Sequence, residues 1–110
     1  MEITTTEYNR CEVVKMTGRV DTYTAPKLQE AMDAAMDAGK FNIVFDMEGV
    51  DFLSSKGLWV LTETQKKCKK GKGKLVLVNT DEKIRKSFDL VGMSDYFDIY
   101  EDVTSAVGSF

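Results

Sequence analysis

Histidine is absent from this chain. That excludes a serine–histidine triad, imidazole general acid–base work and every metal site that needs a histidine ligand, and most hydrolase chemistry goes with them. The two cysteines, Cys11 and Cys68, lie far apart and match no metal or redox spacing, so both are read as reduced packing residues. No apolar run approaches the roughly 20 residues of a membrane span. No targeting segment is visible in the opening Met1-Glu2-Ile3-Thr4, so the cytoplasm is the expected compartment and no membrane partner is expected. A single proline occurs in 110 residues, with no Gly/Ser linker, low-complexity tract or repeat. One domain over 1–110 is therefore expected. Basic excess is lacking too: the formal net charge is -3, which disfavours a direct nucleic-acid binder.

What the chain does contain is an alternation of strand and helix signals. Ile3 to Tyr8 is threonine-rich and Glu12 to Thr17 follows after Asn9-Arg10, as in two antiparallel strands. Thr24-Ala25-Pro26 places a capping hydroxyl ahead of a proline that a first helical turn tolerates. The helix that follows runs to about Ala38, with Leu28, Ala31, Met32, Ala35 and Met36 as its apolar stripe and Gly39 as its terminator. Phe41 to Met47 is a β-branched and aromatic run between glycines, the pattern of a strand buried on both faces at the sheet centre.

A second helix opens at Ser54-Ser55, turns Leu58, Leu61, Thr64 and Cys68 inward, and ends at Gly71-Lys72-Gly73. Leu75 to Val78 is the next strand. Asp81 caps a helix carrying Ile84, Phe88 and Leu90 and closed by Gly92, Phe97 to Tyr100 is a last strand, and Asp102 caps a short helix bearing Val103, Ala106 and Val107. The order is ββαβαβαβα, an α/β fold with a mostly parallel five-stranded sheet and about four helices. Functional loops in such sheets stand at the strands' carboxyl ends, here Val20 to Thr24, Met47 to Ser55 and Asn79 to Asp81.

The serine pair is the sharpest chemical feature, because a hydroxyl at a helix N-terminus stands where unpaired N–H groups favour an anion. Either serine also serves as a helix cap, the reading that capping preferences favour. No glycine-x-serine-x-glycine elbow and no base accompany them, so serine hydrolysis carries almost no weight. Asp46 lacks the acidic pair that would hold magnesium beside a phosphoryl-accepting aspartate. The lysines at 66, 67, 69, 70, 72 and 74 suit either an acidic partner or the solvated C-terminal end of a helix, and the second reading is the better one. Trp59 lies four residues after Ser55 on one helical face, away from Leu58 and Leu61, so it reads as an interface residue or as one half-buried against a loop.

Two segments together resemble the STAS domain of bacterial anti-sigma factor antagonists: Gly18-Arg19-Val20-Asp21-Thr22-Tyr23-Thr24-Ala25, and Val50-Asp51-Phe52-Leu53-Ser54-Ser55-Lys56-Gly57-Leu58-Trp59-Val60-Leu61. The first is similar to the family's glycine-x-leucine-aspartate strand end. The second is similar to its aspartate-serine-serine-glycine-leucine segment, in which the serine two positions before the glycine accepts phosphate. Aligned through Gly57, that serine is Ser55. The chain departs from the pattern in having Ser54 in place of aspartate, Lys56 where a small hydroxyl residue is common, and Trp59 where glycine is frequent. Losing a negative neighbour and gaining a positive one eases phosphate accommodation.

The resemblance implies a regulator without catalytic residues, cofactor or metal. Its unphosphorylated form would bind an anti-sigma factor that is also a serine kinase, releasing a sigma factor. Phosphorylation of Ser55 would end binding, and a PP2C-type phosphatase would restore it. Asp21, Thr22, Ser54, Lys56, Gly57 and Trp59 would form the partner-binding surface. The alternatives are a STAS scaffold or transport-system subunit whose serine is never phosphorylated, and an enzyme or nucleotide-binding protein resting on the helix N-terminus and lysines alone.

Overall fold

The computed structural model describes residues 2–93 and 95–110. Strands β1 (Glu2–Glu7), β2 (Glu12–Val20), β3 (Asn42–Leu53), β4 (Lys74–Val78) and β5 (Asp98–Tyr100) form one sheet in the order of the chain. β1 pairs antiparallel with β2, and every later pairing is parallel, as the intervening helices α1 (Ala25–Asp37), α2 (Ser55–Lys70) and α3 (Glu82–Leu90) require. Helix α4 (Val103–Gly108) closes the chain. The ββαβαβαβα order is the one expected, with β3 at the sheet centre.

Alternation along the strands divides the core. Val14, Ile43, Phe45, Leu75 and Leu77 face the side covered by α1, α2 and α3, against Leu28, Met32, Leu61, Ile84 and Phe88. Their neighbours Val13, Val44, Val76 and Val78 face the other side, where Ala106 of α4 packs with Val103 and Val107. Because both faces are covered, the strands read as continuous apolar runs. Cys11 and Cys68 are free and buried, and burial pushes the Cys68 thiol up to about 11. Gln65, a residue that sequence reading passed over, is buried in α2. Its side chain donates to the Leu75 and Tyr96 carbonyls at 3.0 and 2.9 Å and accepts from the Leu75 N–H at 2.7 Å. It thereby stands in for a strand one residue before β5 begins pairing at Val76.

Several expectations need correction. Thr24 precedes α1 but makes no side-chain cap; its hydroxyl is taken up by Arg19 and Asp21. Leu90 is exposed, because at about 100° per residue it points about 120° away from Ile84 and about 160° away from Phe88. Ala31 and Leu58 are only half-buried. Most of the supposed loop from Met47 to Ser55 is strand: β3 continues to Leu53 by pairing with β2 beyond the end of β4.

Candidate partner-binding site

That continuation builds the site. β4 stops opposite Asp46, whereas Gly18, Arg19 and Val20 of β2 go on to pair with Val50, Phe52 and Leu53. The register shifts twice, with β3 carrying one extra residue each time, and such bulges bend and twist a strand pair. Gly49 permits the first of them, since a Cβ there would lie 2.6 Å from the Thr17 methyl. The Ser54 N–H then donates to the Val20 carbonyl at 2.8 Å, so the start of α2 is tied directly to the end of β2.

The two serines divide the work. Ser54 is the N-cap, extended at φ -79 and ψ 171, and its Oγ accepts from the Gly57 N–H at 3.1 Å. Ser55 is the first helical residue and is exposed. The first turn holds no acidic residue while Lys67, Lys69 and Lys70 occupy the last, so the N-terminal end of α2 keeps its uncompensated positive character. The division predicts opposite outcomes. Ser54→Ala is expected to cost about 1 kcal/mol, or about 4 °C in melting temperature, while Ser55→Ala changes stability by only a few tenths of that. Paired thermal melts measure both, and a larger loss for Ser55→Ala would reverse the assignment.

Gly57 faces inward. A Cβ there would come 2.6 Å from methyls of Val20 and Leu53, so glycine at this position lets the helix start seat on the strand ends. Asp21 is occupied rather than free: its carboxylate accepts from the Tyr23 and Thr24 N–H groups at 2.9 and 3.0 Å. The Thr24 Oγ accepts from the Asp21 N–H at 2.9 Å and donates to the Arg19 carbonyl at 2.6 Å. Asp21 thus shapes the turn that presents exposed Thr22 and Tyr23.

The Thr24 amide is the main cause holding the Asp21 carboxyl below its usual value, with the Tyr23 amide adding to it against partial desolvation. A group depressed in the folded state stabilises above its unfolded value of about 3.9 and loses that contribution as pH falls through the folded value. Acid unfolding followed by circular dichroism should therefore show a steeper stability loss below about pH 4 for the native sequence than for Asp21→Asn.

Three large aromatic side chains are exposed at this end: Tyr23 at 87%, Trp59 at 43% and Phe52 at 37%. Two carry a cation, the Arg19 guanidinium 4.0 Å from the Phe52 ring centre and the Lys56 ammonium 4.1 Å from that of Trp59. Sequence reading misses Arg19, Tyr23 and Phe52 as surface features, because Arg19 and Phe52 come together only through the β2–β3 pairing beyond β4, and Tyr23 is presented by the Asp21 turn. The lysine run lies elsewhere. Lys67 pairs with Asp33 at 3.3 Å and Lys74 with Asp98 at 3.4 Å, and a cleft of about 530 Å³ beside Asp33, Met36, Phe41 and Lys67 opens at the opposite ends of α1 and α2.

The model of one family, the STAS domain, matches residues 2–106. The chain belongs to the STAS domain family. A relative, the anti-sigma-B factor antagonist of Bacillus subtilis strain 168, is 34% identical over 86 residues, 78% of each chain. The crystal structure of an anti-sigma factor antagonist from Mycobacterium paratuberculosis has a TM-score of 0.86 at 28% identity, covering 98% of this STAS domain and 92% of that chain. The Bacillus cell fate determinant SpoIIAA in its phosphorylated form shares the fold, with a TM-score of 0.78 at 16% identity over 99% of this chain and 100% of that one. In this STAS domain, Ser54, Ser55, Lys56 and Trp59 stand together at the start of α2, and Asp21 and Thr22 form the neighbouring turn after β2.

Proposed function

We propose that this STAS domain is an anti-sigma factor antagonist working by partner switching. Its unphosphorylated form binds an anti-sigma factor serine kinase and frees a sigma factor. The kinase in turn transfers the terminal phosphoryl group of a nucleoside triphosphate to the Ser55 Oγ, and the modified surface no longer binds. A PP2C-type phosphatase hydrolyses the phosphoester and resets the switch. The chain is a cytoplasmic substrate and ligand rather than an enzyme.

The observation that carries this reading is the division between the serines: Ser54 takes the capping duty, leaving the Ser55 hydroxyl exposed at a helix start with no acidic residue in its first turn. Phosphate there adds charge of about -1.5 to -2 where the helix end favours an anion. In support, relatives carry the name anti-sigma-B factor antagonist, and SpoIIAA has been solved in unphosphorylated and phosphorylated forms, each with a TM-score of 0.78 to this chain. The exposed Tyr23, Phe52 and Trp59, with Arg19, supply anchor residues of the kind that dominate interfaces.

The test begins with recovery of the partner from cell extract. Incubated with ATP and that partner, the native protein should gain one phosphate on Ser55 by mass spectrometry, and Ser55→Ala none. Modification of Ser54 in place of Ser55 would shift the site by one residue, and a partner without kinase activity would refute the switch. Trp59→Ala should weaken binding about thirtyfold, roughly 2 kcal/mol, with an unchanged melting temperature. A large drop in melting temperature with normal binding would place Trp59 in the core.

A further inference from the structure

Lys56 is the residue by which this site differs in charge from a plain helix start. Its ammonium is held 4.1 Å from the centre of the Trp59 ring, on the exposed surface of the first two turns of α2. Long helical side chains lean back toward the helix N-terminus, so Trp59 extends over the turn that contains Ser55, four residues earlier on the same face. The cation it holds is thereby kept at the end of the helix where the Ser55 hydroxyl stands. A lysine stem has four flexible carbons, and its ammonium hydrogen-bonds as a compact point charge that needs no fixed geometry.

We propose that Lys56 is the counter-ion of phosphorylated Ser55, and that taking up the phosphate strips its ammonium from Trp59. This inference rests on Ser55 as the phosphoacceptor. An exposed cation–ring contact is weak, whereas an ammonium on a phosphate makes a charge-assisted hydrogen bond of the stronger class. The two sites compete for one cation, and the phosphate wins. Modification therefore changes two features of the surface at once: it adds an anion at Ser55 and uncovers the face of the tryptophan. Arg19 is the rival counter-ion, but its guanidinium lies 4.0 Å from the Phe52 ring centre, on the strand arm and not on the helix.

Trp59 is the only tryptophan of the chain, so its signals report on this contact without interference. Phosphoserine is installed at position 55 during biosynthesis, which removes any dependence on a kinase. Indole fluorescence and the indole Nε1–H cross-peak are then compared in native, Lys56→Met and Arg19→Gln backgrounds, each with and without the phosphate. In the native background the phosphate should move both signals to the values that Lys56→Met shows without phosphate. In Lys56→Met it should move neither by more than a fifth as much, and in Arg19→Gln the full change should remain. No change in the native background, an equal change in Lys56→Met, or loss of the change in Arg19→Gln overturns the assignment. Failure of the function reading looks different: the installed phosphate then moves Trp59 as described, but partner binding is unaffected or no kinase labels Ser55.

Discussion

Phosphate on Ser55 is expected to weaken the complex with the anti-sigma partner at least a hundredfold, about 2.7 kcal/mol, while leaving the melting temperature unchanged or slightly raised. The two halves have separate physical causes. The hydroxyl is exposed and makes no cap, so its modification breaks no capping bond, and the exposed Lys56–Trp59 contact it draws on is a weak one. The helix end that receives the charge favours an anion by about 0.3–1 kcal/mol. Binding suffers because a dianion must be desolvated against a partner surface shaped for a hydroxyl, and a misplaced charge in a buried interface costs several kcal/mol. Ser55→Asp should reproduce the direction with a smaller magnitude, because a carboxylate lacks the second charge and third oxygen. Calorimetric titration of native, phosphorylated and Ser55→Asp proteins against the partner, each paired with a thermal melt, separates the two halves. Phosphoprotein that binds as tightly as the native form would end the switch reading. A phosphoprotein that melts far lower would show that the lost affinity is unfolding.

Gly73→Ala is expected to cost about 3 kcal/mol in stability. A Cβ at Gly73 would be driven into the carbonyl of Phe41 and to within 2.7 Å of Asn42 Oδ1. The first obstacle is backbone of the strand entry and cannot rotate away. The helix end itself is a Schellman turn, in which the Gly73 N–H donates to the Cys68 carbonyl at 2.8 Å and the Lys72 N–H to that of Lys69 at 3.0 Å. Its left-handed residue is Lys72, at φ 68, and not a glycine. Lys72→Gly should accordingly be neutral or stabilising, by up to about 1 kcal/mol. Urea unfolding of the two variants decides the matter. A tolerated Gly73→Ala would overturn the close approach to Phe41 as the reason for that glycine, and a destabilising Lys72→Gly would overturn the left-handed strain at Lys72.

The same turn marks where sequence reading stops. Three helices end in this motif: α1 with Gly39 and α3 with Gly92 in the left-handed position, at φ 87 and 72, and α2 with Lys72. The glycines of Gly71-Lys72-Gly73 announce a helix end in the sequence, yet they are there because Phe41 lies against both. No local pattern encodes a contact with a residue some thirty positions away. Likewise Glu48 to Leu53 contains a glycine and acidic residues and resembles a loop, and only pairing with β2 makes it strand.

The sequence by itself determined the order of elements, most of the inward-facing helix positions, the positions of the helix starts and, through its resemblance to the STAS domain, Ser55 as the residue to watch. These are matters of periodicity and local chemistry, which the chain carries in short windows. Tertiary structure alone decided which serine caps α2, because that depends on the extended backbone that β2 imposes on Ser54 through the Val20 carbonyl. It also decided that Asp21 is spent on its own turn, that Phe52 joins Trp59 at the surface, and that Lys56 lies over the tryptophan. Each of these is set by where separate segments meet in space, and a pattern of neighbours along the chain holds no record of that meeting.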